Sequence, residues 1–130
     1  MNRLLLAPML ALMLIAPAPT AATAATAAPA ATATITLTSY RFSPGPIYLA
    51  GGVPVRLVFV NSAGKNHDFT AKEFFRASRM LAGRAPGGEV EVDAGQTKIV
   101  DLIPARGTYN VHCGKFGHSM LGMSTTIIVG

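Results

Sequence analysis

The chain has no tryptophan, one cysteine, and six acidic residues against eleven lysines and arginines. Each shortage excludes something. A lone Cys113 cannot close a disulfide within the chain, so it is a free thiol, half of an intermolecular bridge or a metal ligand. The basic residues form no run, and with no tryptophan to stack on bases a nucleic-acid partner finds little support. No glycine motif that cradles phosphate is present. Nothing marks the orienting third group or oxyanion site that a Cys–His nucleophile needs. There is no internal repeat, and 130 residues leave room for one domain.

What is there begins with an export signal. Met1-Asn2-Arg3 is a short positive start, and Leu4 to Ala16 is an apolar run broken only by Pro8. Ala22-Thr23-Ala24 and Ala25-Thr26-Ala27 both fit a small-x-small cleavage pattern. The apolar run is shorter than the roughly 20 residues of a spanning helix. No cysteine stands near the cleavage region to carry a lipid. Residues 1–24 are therefore expected to be a signal peptide, 25–33 an Ala/Thr/Pro-rich flexible leader, and 34–130 the folded domain of a periplasmic protein. Loss of Arg3 leaves ten basic and six acidic residues, a formal charge of +4. A mildly basic face suits an acidic partner. Exported free thiols oxidise easily, which favours ligation for Cys113.

The folded part reads as strands. Thr34 to Ser39 alternates apolar and β-branched polar residues, and Tyr40-Arg41-Phe42 extends it. Pro44-Gly45-Pro46 breaks the pairing, and Ile47 to Leu49 is a short edge segment. Val53 to Val60 is the strongest strand, with Val55, Leu57 and Phe59 on one face. A polar loop from Asn61 to Asn66 precedes His67-Asp68-Phe69, where a strand resumes. Ala71 to Met80 is the one helix, capped by Thr70 with Glu73 three residues on. Glu89 to Val92, Thr97 to Ile103, Thr108 to Cys113 and Met123 to Val129 follow as strands. Short strands at near-regular spacing predict an all-β protein, a Greek-key antiparallel β-sandwich with one short helix.

The chemistry concentrates between Gly107 and Met123. Cys113, His118 and Met123 are separated by four residues each time. Soft sulfur donors with imidazole select copper, and a weak thioether is a distinctive further partner. A sandwich gathers its loops at two ends, so His67 can join them. Two imidazoles, a thiolate and a distant thioether form an electron-transfer copper set. Four protein donors leave no open position for a substrate.

The segment resembles the ligand loop of the cupredoxins, the small blue type 1 copper proteins. The likeness rests on the Cys113–His118–Met123 spacing, Gly117-His118, Gly122-Met123, Gly107-Thr108-Tyr109, and Asn61 ahead of His67-Asp68-Phe69. It implies one copper ion held by His67, Cys113, His118 near the solvent edge, and Met123 as axial ligand. Met120 competes with Met123 for that last role. Many relatives carry Asn after the first histidine, where it ties the ligand loops together. Asp68 stands there in this chain, and its charge would favour Cu(II) and lower the potential.

Other prominent residues have plainer readings. Strand alternation points His112 away from Cys113. Tyr109 reads as a core or corner tyrosine, Phe74 and Phe75 as packing under the helix. Lys65, Arg76, Arg79, Arg84 and Lys115 read as solvated surface. A zinc site suits methionine poorly. A multicopper oxidase needs His on both sides of the cysteine, yet Gly114 follows Cys113. A dinuclear copper centre needs two cysteines. The expectation is a monomeric, non-enzymatic one-electron carrier between redox partner proteins with acidic docking surfaces, and no small-molecule substrate. The other class left open is a copper-trafficking or resistance module. Outside the motif the mature chain has only Met80, without the Met- or His-rich segments such a module tends to carry.

Overall fold

The computed structural model describes residues 14–22 and 28–130. The start of the expected signal peptide and its cleavage region lie outside the described residues. Among those described, no helix is long and apolar enough to cross a membrane.

Ten strands and one helix follow in order. They are β1 (Ala31–Thr38), β2 (Arg41–Ser43), β3 (Ile47–Leu49), β4 (Val55–Asn61), β5 (His67–Thr70), α1 (Lys72–Ala77), β6 (Arg79–Ala82), β7 (Glu89–Val92), β8 (Thr97–Ile103), β9 (Gly107–His112) and β10 (Ser124–Val129). Two five-stranded sheets run β2-β1-β4-β8-β6 and β3-β10-β9-β5-β7. Their facing sides make the core, as the alternation in β4 required: Val55, Leu57 and Phe59 are buried, whereas Arg56, Val58 and Val60 are half-buried.

The sandwich is mixed where an antiparallel one was expected. β1 pairs with β4 in parallel, and β3 pairs with β10 in parallel. After β1 the chain folds back as β2 and crosses to the other sheet as β3. It then returns as β4, and that excursion is the crossover a parallel pair needs. The strand read from Thr34 begins at Ala31, and Tyr40 does not extend it. Ser39 and Tyr40 form a tight turn that sends β2 back along β1, pairing Leu37 with Phe42.

The helix is shorter than Ala71 to Met80 suggested. Its N-cap is Ala71, with no side-chain cap bond, because the Thr70 hydroxyl donates instead to Asp68 Oδ1 at 2.7 Å. Arg79–Ala82 leaves the helix to pair with β8. A sheet edge offers these residues a full row of hydrogen-bond partners, which outweighs one more turn of a marginal helix.

Two features stiffen the chain around β5. Phe69 packs its ring against Phe59 at 4.8 Å, Phe42 at 5.5 Å and Phe75 at 6.2 Å between centroids. Asn61, expected in a loop, closes β4 and is buried. Its amide donates to the carbonyls of Lys65 and Val92, both at 2.8 Å, and its Oδ1 accepts the Ala63 N–H at 2.9 Å. These bonds staple the loop before His67 onto β7.

Candidate metal centre

β5 starts at His67, delivered by the stapled loop, and its side chain is fully buried. Cys113 follows the last residue of β9 and is buried beside it. The loop beyond is closed by its own backbone. Cys113 N–H donates to Met123 O at 3.0 Å, and Met123 N–H donates to His118 O at 3.1 Å. Gly117 and Gly122 make the bends, at φ of 77° and 88°, which a side chain would resist.

This arrangement brings three donors together. His67 Nδ1 lies 3.1 Å from His118 Nδ1, and Cys113 Sγ lies 3.8 Å and 3.5 Å from those two nitrogens. A point equidistant from the three atoms is about 2.0 Å from each, the range of metal–imidazole bonds and slightly under metal–thiolate bonds. Among the described residues this is the one group of three or more His, Cys, Asp or Glu able to hold an ion. Of the two methionines in the loop, Met123 is 0% exposed and Met120 is 90% exposed. Met123 is thus the thioether inside the domain. Two imidazoles, a thiolate and a thioether fit copper better than zinc or a hard cation.

The electrostatics suit ligation. Burial pushes the His67 imidazole down from its ordinary range, and His118 beside it acts in the same direction, so the neutral ligating form is favoured. Burial pushes the Cys113 thiol up, opposed by the backbone N–H groups of Asp68 and Lys115. A bound cation would reverse that balance and favour the thiolate.

The Asp68 carboxylate has the tying role expected of this position. Its Oδ1 accepts the Gly114 N–H at 2.6 Å, and its own N–H reaches Cys113 Sγ at 3.5 Å. The charge is buried, and none of the ion pairs among the described residues includes it.

The plainer readings stand as well. His112 is exposed on the opposite face from Cys113. The Tyr109 hydroxyl donates to the carbonyls of Ala105 at 2.9 Å and Arg106 at 3.1 Å, a corner tie. Phe74 and Phe75 are buried. Lys115 pairs with Glu91 at 2.6 Å, and Arg76 pairs with Glu73.

Sequence reasoning missed Ser39 and Tyr40. Ser39 Oγ lies 3.1 Å from His67 Nε2, and the Tyr40 ring meets both histidines edge-on. The only signal was the end of the alternation that began at Thr34.

No curated protein matches the sequence, but solved structures match the fold. Auracyanin B shares 22% identity at a TM-score of 0.58, over 82% of this chain and 93% of its own. Auracyanin from Roseiflexus castenholzii shares 15% at 0.59, over 78% and 98%. A multicopper oxidase from Campylobacter jejuni shares 11% at 0.63, over 82% of this chain but 31% of the oxidase. The family model for the cupredoxin-like domain matches residues 6–129. The chain belongs to the cupredoxin-like family, and its two histidines, cysteine and methionine form the donor set of a type 1 copper site.

Proposed function

We propose that the protein is an exported one-electron carrier whose copper is held by His67, Cys113, His118 and Met123. When bound, the ion supplies reversible Cu(I)/Cu(II) exchange. The observation that carries this reading is a donor set buried on three sides and open on one. Cys113, His67 and Met123 are buried, whereas His118 is half-buried in a loop that exposes Phe116, Met120 and Leu121. His118 is then the route by which an electron reaches a partner, and the apolar side chains around it favour brief contact with another protein. Thiolate and imidazole donors serve both oxidation states, and the sandwich holds them in place while charge changes.

No enzymatic role is assigned, because four protein donors leave no position for a substrate. The oxidase likeness extends to under a third of that protein, and Cys113 lacks the second flanking histidine of such enzymes. The formal +4 of the mature chain supports a redox partner with an acidic docking surface and a carrier that works as a monomer. Residues 1–24 serve as signal and those between it and β1, which starts at Ala31, as leader to the periplasmic domain, which the intact mass of the exported protein tests directly.

Voltammetry of the copper-loaded domain separates the carrier from a copper-handling module. A carrier gives a reversible one-electron wave and keeps its metal against a mild chelator. An irreversible wave with immediate metal loss would favour trafficking.

A further inference from the structure

We infer that the turn between β1 and β2 positions the two histidines, Ser39 by fixing which His67 nitrogen faces the centre and Tyr40 by bracing both rings. The inference rests on the copper reading above. His67 has two ring nitrogens with different surroundings. Nδ1 faces Cys113 and His118, and Nε2 faces Ser39 Oγ at 3.1 Å. Nδ1 can offer its lone pair only if the neutral ring carries its proton on Nε2. The Ser39 hydroxyl oxygen accepts that N–H. His67 is fully buried while Ser39 is exposed, so the Ser39 hydroxyl stands between the Nε2 side of the ring and solvent as its side-chain partner. An accepting oxygen behind the ring also strengthens the imidazole as a donor.

Tyr40 acts by contact. Its ring centroid is 5.0 Å from that of His118 at 62° and 6.2 Å from that of His67 at 88°, both edge-on arrangements that aromatic rings favour. The phenol is itself held: Lys65 Nζ donates to its oxygen at 3.3 Å. The Lys65 carbonyl is in turn the one that the buried Asn61 amide grips. A continuous chain of contacts therefore runs from Asn61 through Lys65 and Tyr40 to His118. His118 sits on a surface loop whose own ties are backbone bonds, so a side-chain brace from another strand limits how far its ring can turn.

Four variants test this: Ser39→Ala, Ser39→Thr, Tyr40→Leu and Tyr40→Phe. On the metal-free domain, nitrogen-15 NMR reads which His67 nitrogen carries the proton. Wild type and Ser39→Thr are expected to carry it on Nε2, and Ser39→Ala to lose that preference. On the copper-loaded domain, Ser39→Ala is expected to bind Cu(II) about 10–100-fold more weakly with a raised potential, and Ser39→Thr to recover both. Tyr40→Leu should broaden or shift the paramagnetic spectrum, and Tyr40→Phe, which keeps the ring but loses the Lys65 bond, should change it less. A Ser39→Ala protein with wild-type tautomer, affinity and potential would overturn the role of Ser39. A Tyr40→Leu spectrum identical to wild type would overturn that of Tyr40. If wild type takes up no copper, the carrier reading fails, while the NMR result still judges Ser39.

Discussion

The Asp68 carboxylate and the Gly114 backbone are joined by a 2.6 Å hydrogen bond that ties the strand of one candidate ligand to the loop of the others. The contact is close enough that a Cβ on Gly114 would lie 3.3 Å from Asp68 Oδ2, a tight approach that the glycine avoids. The same carboxylate accepts the Thr70 hydroxyl, and the same residue's N–H reaches Cys113 Sγ. One residue, through its backbone N–H and its buried carboxylate, thus shapes the surroundings of the thiolate.

Asp68→Asn separates the hydrogen bonding of the carboxylate from its charge. The amide oxygen still accepts from Gly114, so the fold survives, but the charge is gone and Cu(II) loses part of its advantage. The reduction potential is expected to rise by tens of millivolts, since a one-electron couple moves about 59 mV per tenfold change in relative affinity. Voltammetry of the two proteins checks it. Asp68→Ala should also destabilise the domain, by about 1–3 kcal/mol in urea unfolding, because the Gly114 N–H loses its acceptor.

The methionines differ in consequence. Met120→Leu should leave the visible spectrum and potential unchanged, because that side chain lies in solvent. Met123→Leu conserves volume and should cost less than about 1.5 kcal/mol of stability. It should nevertheless shift the potential upward, since a donor that helps hold Cu(II) is lost. Equal potentials for both variants would remove Met123 from the ligand set.

Phe69 links the core to the centre. Its contacts with Phe42, Phe59 and Phe75 make Phe69→Ala a large deletion, expected to cost about 3–5 kcal/mol in denaturant unfolding. Copper affinity should fall with it, because His67 lies two residues away on the same face of β5.

Acid stability should depend on a pair far from the metal. Arg56 and Asp101, partners in the β4–β8 register, make two hydrogen bonds of 2.8 Å each. The guanidinium holds the Asp101 carboxyl below the usual carboxylate range. A depressed carboxylate contributes stability above its unfolded pKa, near 3.9, and loses it as pH falls through the lower folded value. Wild type should therefore weaken on acidification from about pH 4 downward. Asp101→Asn should be less stable at pH 7 and show a flatter acid limb in melting temperature against pH.

Much of this was legible in the residues. The alternation of Val55, Leu57 and Phe59 named a core face, and the even spacing of Cys113, His118 and Met123 named a donor loop. Periodicity identifies a strand but not its partner, so the parallel pairs β1–β4 and β3–β10 were out of reach. The helix was overestimated because local propensity takes no account of the β8 edge that claims Arg79–Ala82. Ser39 and Tyr40 act on residues 28 and 78 positions away, respectively His67 and His118, through a turn whose direction only the fold sets.

The most direct test is titration of Cu(II) into the purified metal-free domain, followed by visible absorption. The account predicts one equivalent of copper, an intense thiolate-to-copper band, loss of that band in Cys113→Ser and its retention in His112→Ala. A colourless protein at full loading, with the Cys113 thiol still titratable, would contradict it.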